Sequence, residues 1–338
     1  MITAKGLSRQ TQHWSTAFAD AIRDPDELWQ RLNLEPALLH AAQAAAARFP
    51  LRAPRGFVAR MRVGDPDDPL LRQILPLADE LESTPGFVAD PLNEQAAQVV
   101  PGVLHKYAGR ALLIVTGACA VHCRYCFRRE FPYTQHQVGV DAWRPALAYL
   151  AGDASIREVI LSGGDPLALS DRRLGGLLAA LERIPHLQRV RIHSRIPVVL
   201  PERIDAGLLT VLSQTRLQRV MVIHANHPQE INEAVKGALN VLAGIGVTLL
   251  NQAVLLRGVN DDPDTLATLS ETLFAARVLP YYLHLLDPVA GTAHFAVKES
   301  TALAIMNTLR QRLPGYLIPR LVREQSGQMA KTPVEACR

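Results

Sequence analysis

Between residues 111 and 322 the chain alternates short apolar runs with amphipathic helical stretches, and this alternation limits the fold more than any other feature. The runs fall at 111–116, 158–162, 189–193, 219–224, 247–255, 278–284 and 316–322. After Ser162 they recur about every 30 residues, the length of one strand-plus-helix unit. Most are continuously apolar or β-branched, as strands covered on both faces of a parallel sheet are. Between them, Leu174, Leu177, Leu178 and Leu181 fall on one helical face. A second helix is predicted from Asp262-Pro263 with Leu266, Leu269 and Leu273, and a third with Leu303, Met306 and Leu313, stopping at Pro314-Gly315. Roughly six such units predict an α/β fold whose parallel sheet curls, as an open barrel or a doubly wound sheet. In both, a site forms at the carboxyl ends of the strands. Polar residues cluster there: a cysteine loop, Gly163-Gly164-Asp165, His193-Ser194-Arg195, His224 to His227, Asn251-Gln252, His284 and Asp287.

Residues 1–95 read as an N-terminal helical segment. Asp24-Pro25 suits a helix start, 36–49 is alanine-rich, and prolines punctuate residues 66–91. The chain thereby divides into 1–95, a barrel at 96–315 and a C-terminal segment at 316–338. The balance of 20% charged residues and net charge +4 argues against disorder. No dense Lys/Arg run marks a phosphate-binding face, so nucleic acid is not the expected partner. Four cysteines in 338 residues exclude a disulfide scaffold. The first residues lack an apolar signal, and the uncharged stretch 237–256 holds Asn240, Thr248, Asn251, Gln252 and three glycines, which suits a helix end, a turn and a buried strand. A soluble, cytoplasmic protein without membrane contact is expected.

Three of the cysteines, Cys119, Cys123 and Cys126, lie on one loop with spacing C-x3-C-x2-C, directly after the first run. Three thiolates so placed can ligate three irons of a four-iron cluster, leaving the fourth open. A structural zinc site, completed by His122 or His136, is the plainer alternative and needs four closed ligands. With its aromatic at Tyr125, the loop resembles the signature of radical S-adenosylmethionine enzymes. The resemblance implies a partial (βα)6 barrel, a [4Fe-4S] cluster on the three cysteines, and S-adenosylmethionine on the open iron. Tyr125, Gly163, Gly164, Asp165, His224 and Gln252 would contact that cofactor, the two glycines by letting backbone approach its amino group.

Only five of the 36 basic residues are lysines. Lys331 follows the last run, where a barrel would deliver it to the site face, and a lysine amine can form a Schiff base with pyridoxal phosphate. Lys106 is its competitor; Lys5, Lys236 and Lys298 fall in a terminus or beside helices. From about 95 to 335 the chain resembles lysine 2,3-aminomutases, in blocks such as Lys106-Tyr107 to Arg110, Cys126 to Arg129, Leu161 to Pro166, Ser194 to Val198, His224 to Pro228, Asn251 to Asn260 and Lys331 to Val334. That resemblance implies an isomerase that uses pyridoxal 5′-phosphate as well. Lys331 would carry it covalently, and Lys106, Tyr107 and Arg110 would bind it and its phosphate. Arg128 would clamp the carboxylate of L-lysine, and Asp287 and Glu324 its ε-ammonium, with an external donor of flavodoxin or ferredoxin type reducing the cluster. Departures from the family are Glu324 where aspartate is usual, His284 where tyrosine is expected, and a shortened glycine turn at Gly327. The chain ends soon after Lys331, with Cys337 isolated. It thereby resembles the short members that make β-lysine for translation elongation factor P. The competing readings are a metabolic lysine mutase, a radical enzyme acting on RNA, a zinc module, and the same chemistry on glutamate, which the Asp287–Glu324 pair opposes. A homo-oligomer is compatible with all of these.

Overall fold

The computed structural model describes residues 8–131 and 143–335, with side chains from residue 14 onward. Its centre is one sheet of ten strands, ordered in space as in sequence. These are β1 (Gln98–Val100), β2 (Val103–Tyr107), β3 (Arg110–Thr116), β4 (Glu158–Gly163), β5 (Arg189–Ser194), β6 (Gln218–Ile223), β7 (Thr248–Val254), β8 (Leu279–His284), β9 (Arg320–Arg323) and β10 (Thr332–Pro333). β3 through β9 run parallel. β1 and β2 add an antiparallel edge, and β10 folds back antiparallel on β9. First and last strands do not pair, so the sheet is an open, partial barrel of α/β type, as expected.

Of the helices between strands, Asp171–Glu182 buries Leu174, Leu177, Leu178 and Leu181, the predicted face. The helix Pro263–Ala275 is capped by Asp262, whose carboxylate accepts the Thr265 N–H at 2.9 Å, and it buries Leu266, Leu269 and Leu273. The uncharged stretch resolves into the end of the helix Glu233–Gly244, a turn and β7. No helix among the described residues is long and apolar enough to cross a membrane.

Two expectations need correction. The first strand expected is the run at 111–116, but Lys106 and Tyr107, ahead of that run, lie within a strand of their own, β2. The last run starts at Arg320 rather than 316, because Pro314 caps a short 3-10 turn, Gly315–Leu317, that leaves Tyr316 60% exposed.

The inner and outer faces of the strands differ. On β5 the outward Val190, Ile192 and Ser194 are buried, while Arg191 and His193 face a cavity and are half-buried. β7 alternates likewise, with Gln252 and Val254 inward. A closed barrel fills its interior with side chains; this one keeps a cavity of about 570 Å³. The N-terminal segment packs over its mouth. Ile22, Trp29, Phe57 and Leu71 belong to the same continuous core as the barrel strands. Arg60 donates to Val198 O at 2.8 Å and to Glu230 O at 2.7 Å.

Candidate active site

Loop 117–131 leaves the end of β3 and is fixed from outside the cavity. The backbone N–H of His122 donates to Arg52 O, and that of Arg124 to Gln73 O, both at 2.9 Å. The Arg124 side chain is fully buried: it pairs with Glu80, donates to Phe49 O at 2.7 Å and lies over the Phe49 ring. Arg129 reaches the same Glu80 carboxylate at 2.8 Å. Two guanidiniums on one buried carboxylate thus hold the loop against the N-terminal segment. His122 joins this clamp, with Nδ1 at 2.7 Å from Pro50 O and its ring stacked on Phe49. Its engagement there argues for a structural rather than a zinc-binding part, and His136 lies outside the described residues. Among those residues no group of three His, Cys, Asp or Glu is arranged to hold a single metal ion.

The thiols of Cys119, Cys123 and Cys126 are free and all three line the cavity. Burial and the neighbouring thiols push Cys119 up well above its ordinary value, and Cys126 to about 11. Thiols this desolvated ask for a cationic partner such as iron. Arg195 supplies part of that charge, donating to Cys123 Sγ at 2.7 Å while pairing with Glu230 at 3.0 Å.

The glycine turn has a packing cause within the chain. A Cβ on Gly163, whose φ is +117°, would lie 2.5 Å from Thr116 O, and one on Gly164 would lie 2.5 Å from Ala118 O. These glycines let the end of β4 sit directly on the cysteine loop, joined by Gly164 N–H to Thr116 O at 2.7 Å and Asp165 N–H to Ala118 O at 2.8 Å. Asp165 is occupied within the chain as well. Its carboxylate accepts from Ser194 Oγ at 2.7 Å and from the N–H groups of Leu167, Arg195 and Ile196. It braces three strand ends while lining the cavity.

Deeper in the cavity lie polar atoms with no partner: Nε2 of His193, His224 and His284, and Oε1 of Gln252, all buried. Buried polar atoms in folded chains are normally paired, so these four fit a bound polar ligand. Burial first, then neighbouring cations, keeps the imidazoles neutral; His224 is lowered to about 4. In the sequence, His193 stands out only as a polar residue after a strand, and His284 also as a departure from the family's tyrosine.

At a second wall, Glu324 directly follows β9 and Lys331 precedes β10, with Gly327 (φ +79°) in the turn between them. Lys331 Nζ lies 2.8 Å from Glu324 Oε2, and Lys106 Nζ lies 3.1 Å from Glu324 Oε1. Against the cost of burial, these two ammonium groups hold Glu324 down at about 2. Asp287 goes the other way: burial and the Glu324 charge raise it to about 7, despite Lys331. Tyr107, also pushed up by burial and Glu324, stacks beneath the Arg110 guanidinium at 4.6 Å. Arg128, 6% exposed, grips Glu94 with Nε at 2.6 Å and Nη2 at 2.9 Å, and donates to Ser162 Oγ at 2.9 Å.

All sixteen residues singled out in the sequence therefore line one cavity. Glu80, Gln73, Glu94 and Glu230, which organise them, have no motif to mark them.

A model of the radical SAM superfamily matches residues 113–269. The chain is 51% identical over 336 residues to an L-lysine 2,3-aminomutase of Escherichia coli, covering 99% of this chain and 97% of that one. It is 48% identical over 324 residues to the L-lysine 2,3-aminomutase of Haemophilus influenzae, covering 96% of each. The chain belongs to the lysine 2,3-aminomutase family of radical SAM enzymes. Its enzyme class is thereby isomerase, and the family implies S-adenosylmethionine and a four-iron cluster. To the L-lysine 2,3-aminomutase of Clostridium subterminale it is 40% identical over 271 residues, 80% of this chain and 65% of that one.

Proposed function

We propose that this enzyme converts L-α-lysine to β-lysine, with pyridoxal 5′-phosphate carried on Lys331. The observation that supports this most is the shared cavity: three thiols on one wall, and on the other a lysine amine beside two carboxylates. When bound, the cluster with S-adenosylmethionine supplies a carbon radical that takes and returns one hydrogen, and pyridoxal phosphate carries the migrating amino group.

Cys119, Cys123 and Cys126 hold three irons, and Arg195 offsets the negative charge at Cys123. His224 and Gln252 offer the unpartnered Nε2 and Oε1 to S-adenosylmethionine, and Tyr125 closes its pocket, pinned by Asn226 Nδ2 at 2.7 Å. Gly163, Gly164 and Asp165 set the wall behind it. Lys106, Tyr107 and Arg110 take the pyridoxal phosphate. Arg128 presents its planar fork to the substrate carboxylate. Asp287 and Glu324 hold the ε-ammonium, and Glu324, being ionised throughout the physiological range, is the permanent anion of the pair. The N-terminal cover excludes water, which a carbon radical requires. An external one-electron donor of flavodoxin or ferredoxin type reduces the cluster.

The relation to the short family members supports a role for the product in β-lysylation of translation elongation factor P. The decisive experiment is anaerobic incubation of reconstituted protein with lysine, S-adenosylmethionine, pyridoxal phosphate and a reductant, followed by chromatography. β-Lysine is the expected product, and its absence with cluster and pyridoxal loaded refutes the reading. Adding elongation factor P and its ligase, and reading the mass shift, tests the downstream role.

A further inference from the structure

Glu94 belongs to no sequence motif, yet it stands at the centre of the site's charges. It arrives from the N-terminal cover just before β1 and is 4% exposed. Asp90 Oδ1 accepts its backbone N–H at 3.0 Å and so fixes its position. Its carboxylate takes Arg128 side-on, at 2.6 and 2.9 Å, and Lys106 Nζ at 3.4 Å. Lys106 continues to Glu324 at 3.1 Å, and Glu324 to Lys331 at 2.8 Å. The result is one chain of alternating charge, Arg128–Glu94–Lys106–Glu324–Lys331, crossing the cavity from the cysteine loop to the β9–β10 hairpin. Burial works against the Glu94 carboxylate, but Arg128 and Lys106 outweigh it and keep it ionised.

We infer that Glu94 is a positioning residue that also decides specificity: it orients the Arg128 fork and bars a second carboxylate from the site. This rests on the lysine reading above. A guanidinium binds a carboxylate well only in its own plane, and a side-on bidentate partner fixes that plane. The same anion lowers the positive potential at Arg128 and Lys106 together. An incoming substrate with one carboxylate and a distal ammonium is accepted. One with an acidic side chain meets Glu94, Glu324 and Asp287 at once.

The test compares holoenzyme with Glu94→Gln and Glu94→Asp holoenzymes, each first shown to carry wild-type iron and pyridoxal. In Glu94→Gln, the KM for lysine should rise on the order of tenfold, the scale of one lost charge-assisted hydrogen bond, with kcat little changed. Glu94→Asp should recover part of that loss. Calorimetry with glutarate, a dicarboxylate that cannot react, should show binding at least about tenfold tighter to Glu94→Gln than to wild type. An unchanged KM, or equal glutarate binding by both proteins, overturns the inference. If Glu94→Gln does not load its cofactors, Glu94→Asp decides: a KM raised a few-fold at constant kcat supports the role, and an unchanged KM refutes it. Because calorimetry needs no turnover, the glutarate result stands even if the wild type forms no β-lysine, which would instead refute the substrate reading.

Discussion

The two walls of the cavity are held by opposite means. At the thiol wall the loop is fixed by backbone hydrogen bonds and by two guanidiniums paired with one buried carboxylate, Arg124 and Arg129 on Glu80. At the amine wall the backbone contributes little: β10 has two residues in register with β9. There the functional groups hold one another through ion pairs. A bound cluster suits a wall whose fastening, apart from Arg195 on Cys123, does not use the binding groups. An amine that must exchange partners suits a wall whose groups are only loaned to each other.

If the walls are built independently, each should fail alone. Cys126→Ala is expected to abolish iron binding and turnover while pyridoxal absorption on the protein persists. Lys331→Ala is expected to abolish that absorption and turnover while iron and acid-labile sulfide stay at wild-type levels. Lys106→Met sharpens the pair, because Lys106 flanks the same carboxylate; it should weaken pyridoxal binding without preventing covalent attachment. Loss of both cofactors in any one variant would show that the walls are coupled.

Next in size is the fastening of the thiol wall. Glu80→Ala leaves two buried guanidiniums facing one another without their shared anion, which costs about 3–5 kcal/mol when a buried pair is broken. Urea denaturation should show that loss, together with poor iron retention. A change under about 1 kcal/mol, the scale of an exposed pair, would mean the loop is held elsewhere.

The same contrast decides what can be read from the sequence. Features that repeat or are written locally are visible there: the strand period, the caps at Asp24 and Asp262, the leucine faces, the cysteine spacing. The β1–β2 hairpin escapes notice although Pro101-Gly102 marks its turn and Gly102 adopts φ +80°, because the strands are short and one carries His105 and Lys106. The glycine turn is legible in position, but its packing against the cysteine loop is not, since that contact forms only in the fold. Glu80 and Glu94 are invisible because a lone glutamate acquires meaning only from its partner. Glu94 meets Arg128 34 residues away and Lys106 twelve away, pairings that only the folded sheet creates.

The smallest expected effect separates the two carboxylates of the amine wall. Glu324, lowered to about 2 from 4.5, contributes stability that is present above pH 4.5 and lost as pH falls toward 2. Asp287, raised to about 7 from 3.8, has the opposite sign: the folded chain keeps a proton that the unfolded chain has lost, so its contribution is full below 3.8 and disappears as pH rises through 7. Binding an ammonium reverses the preference, because only ionised Asp287 attracts it. For the free enzyme, kcat/KM for lysine should therefore rise as pH is raised toward 7, by up to about tenfold per unit, and level off above it. Asp287→Asn should flatten that rise, while Glu324→Gln should lower the plateau of kcat/KM and move the rise to lower pH, because the Glu324 charge helps to raise Asp287. A rise that survives Asp287→Asn would assign the titration to another group and leave the amine wall with one working carboxylate.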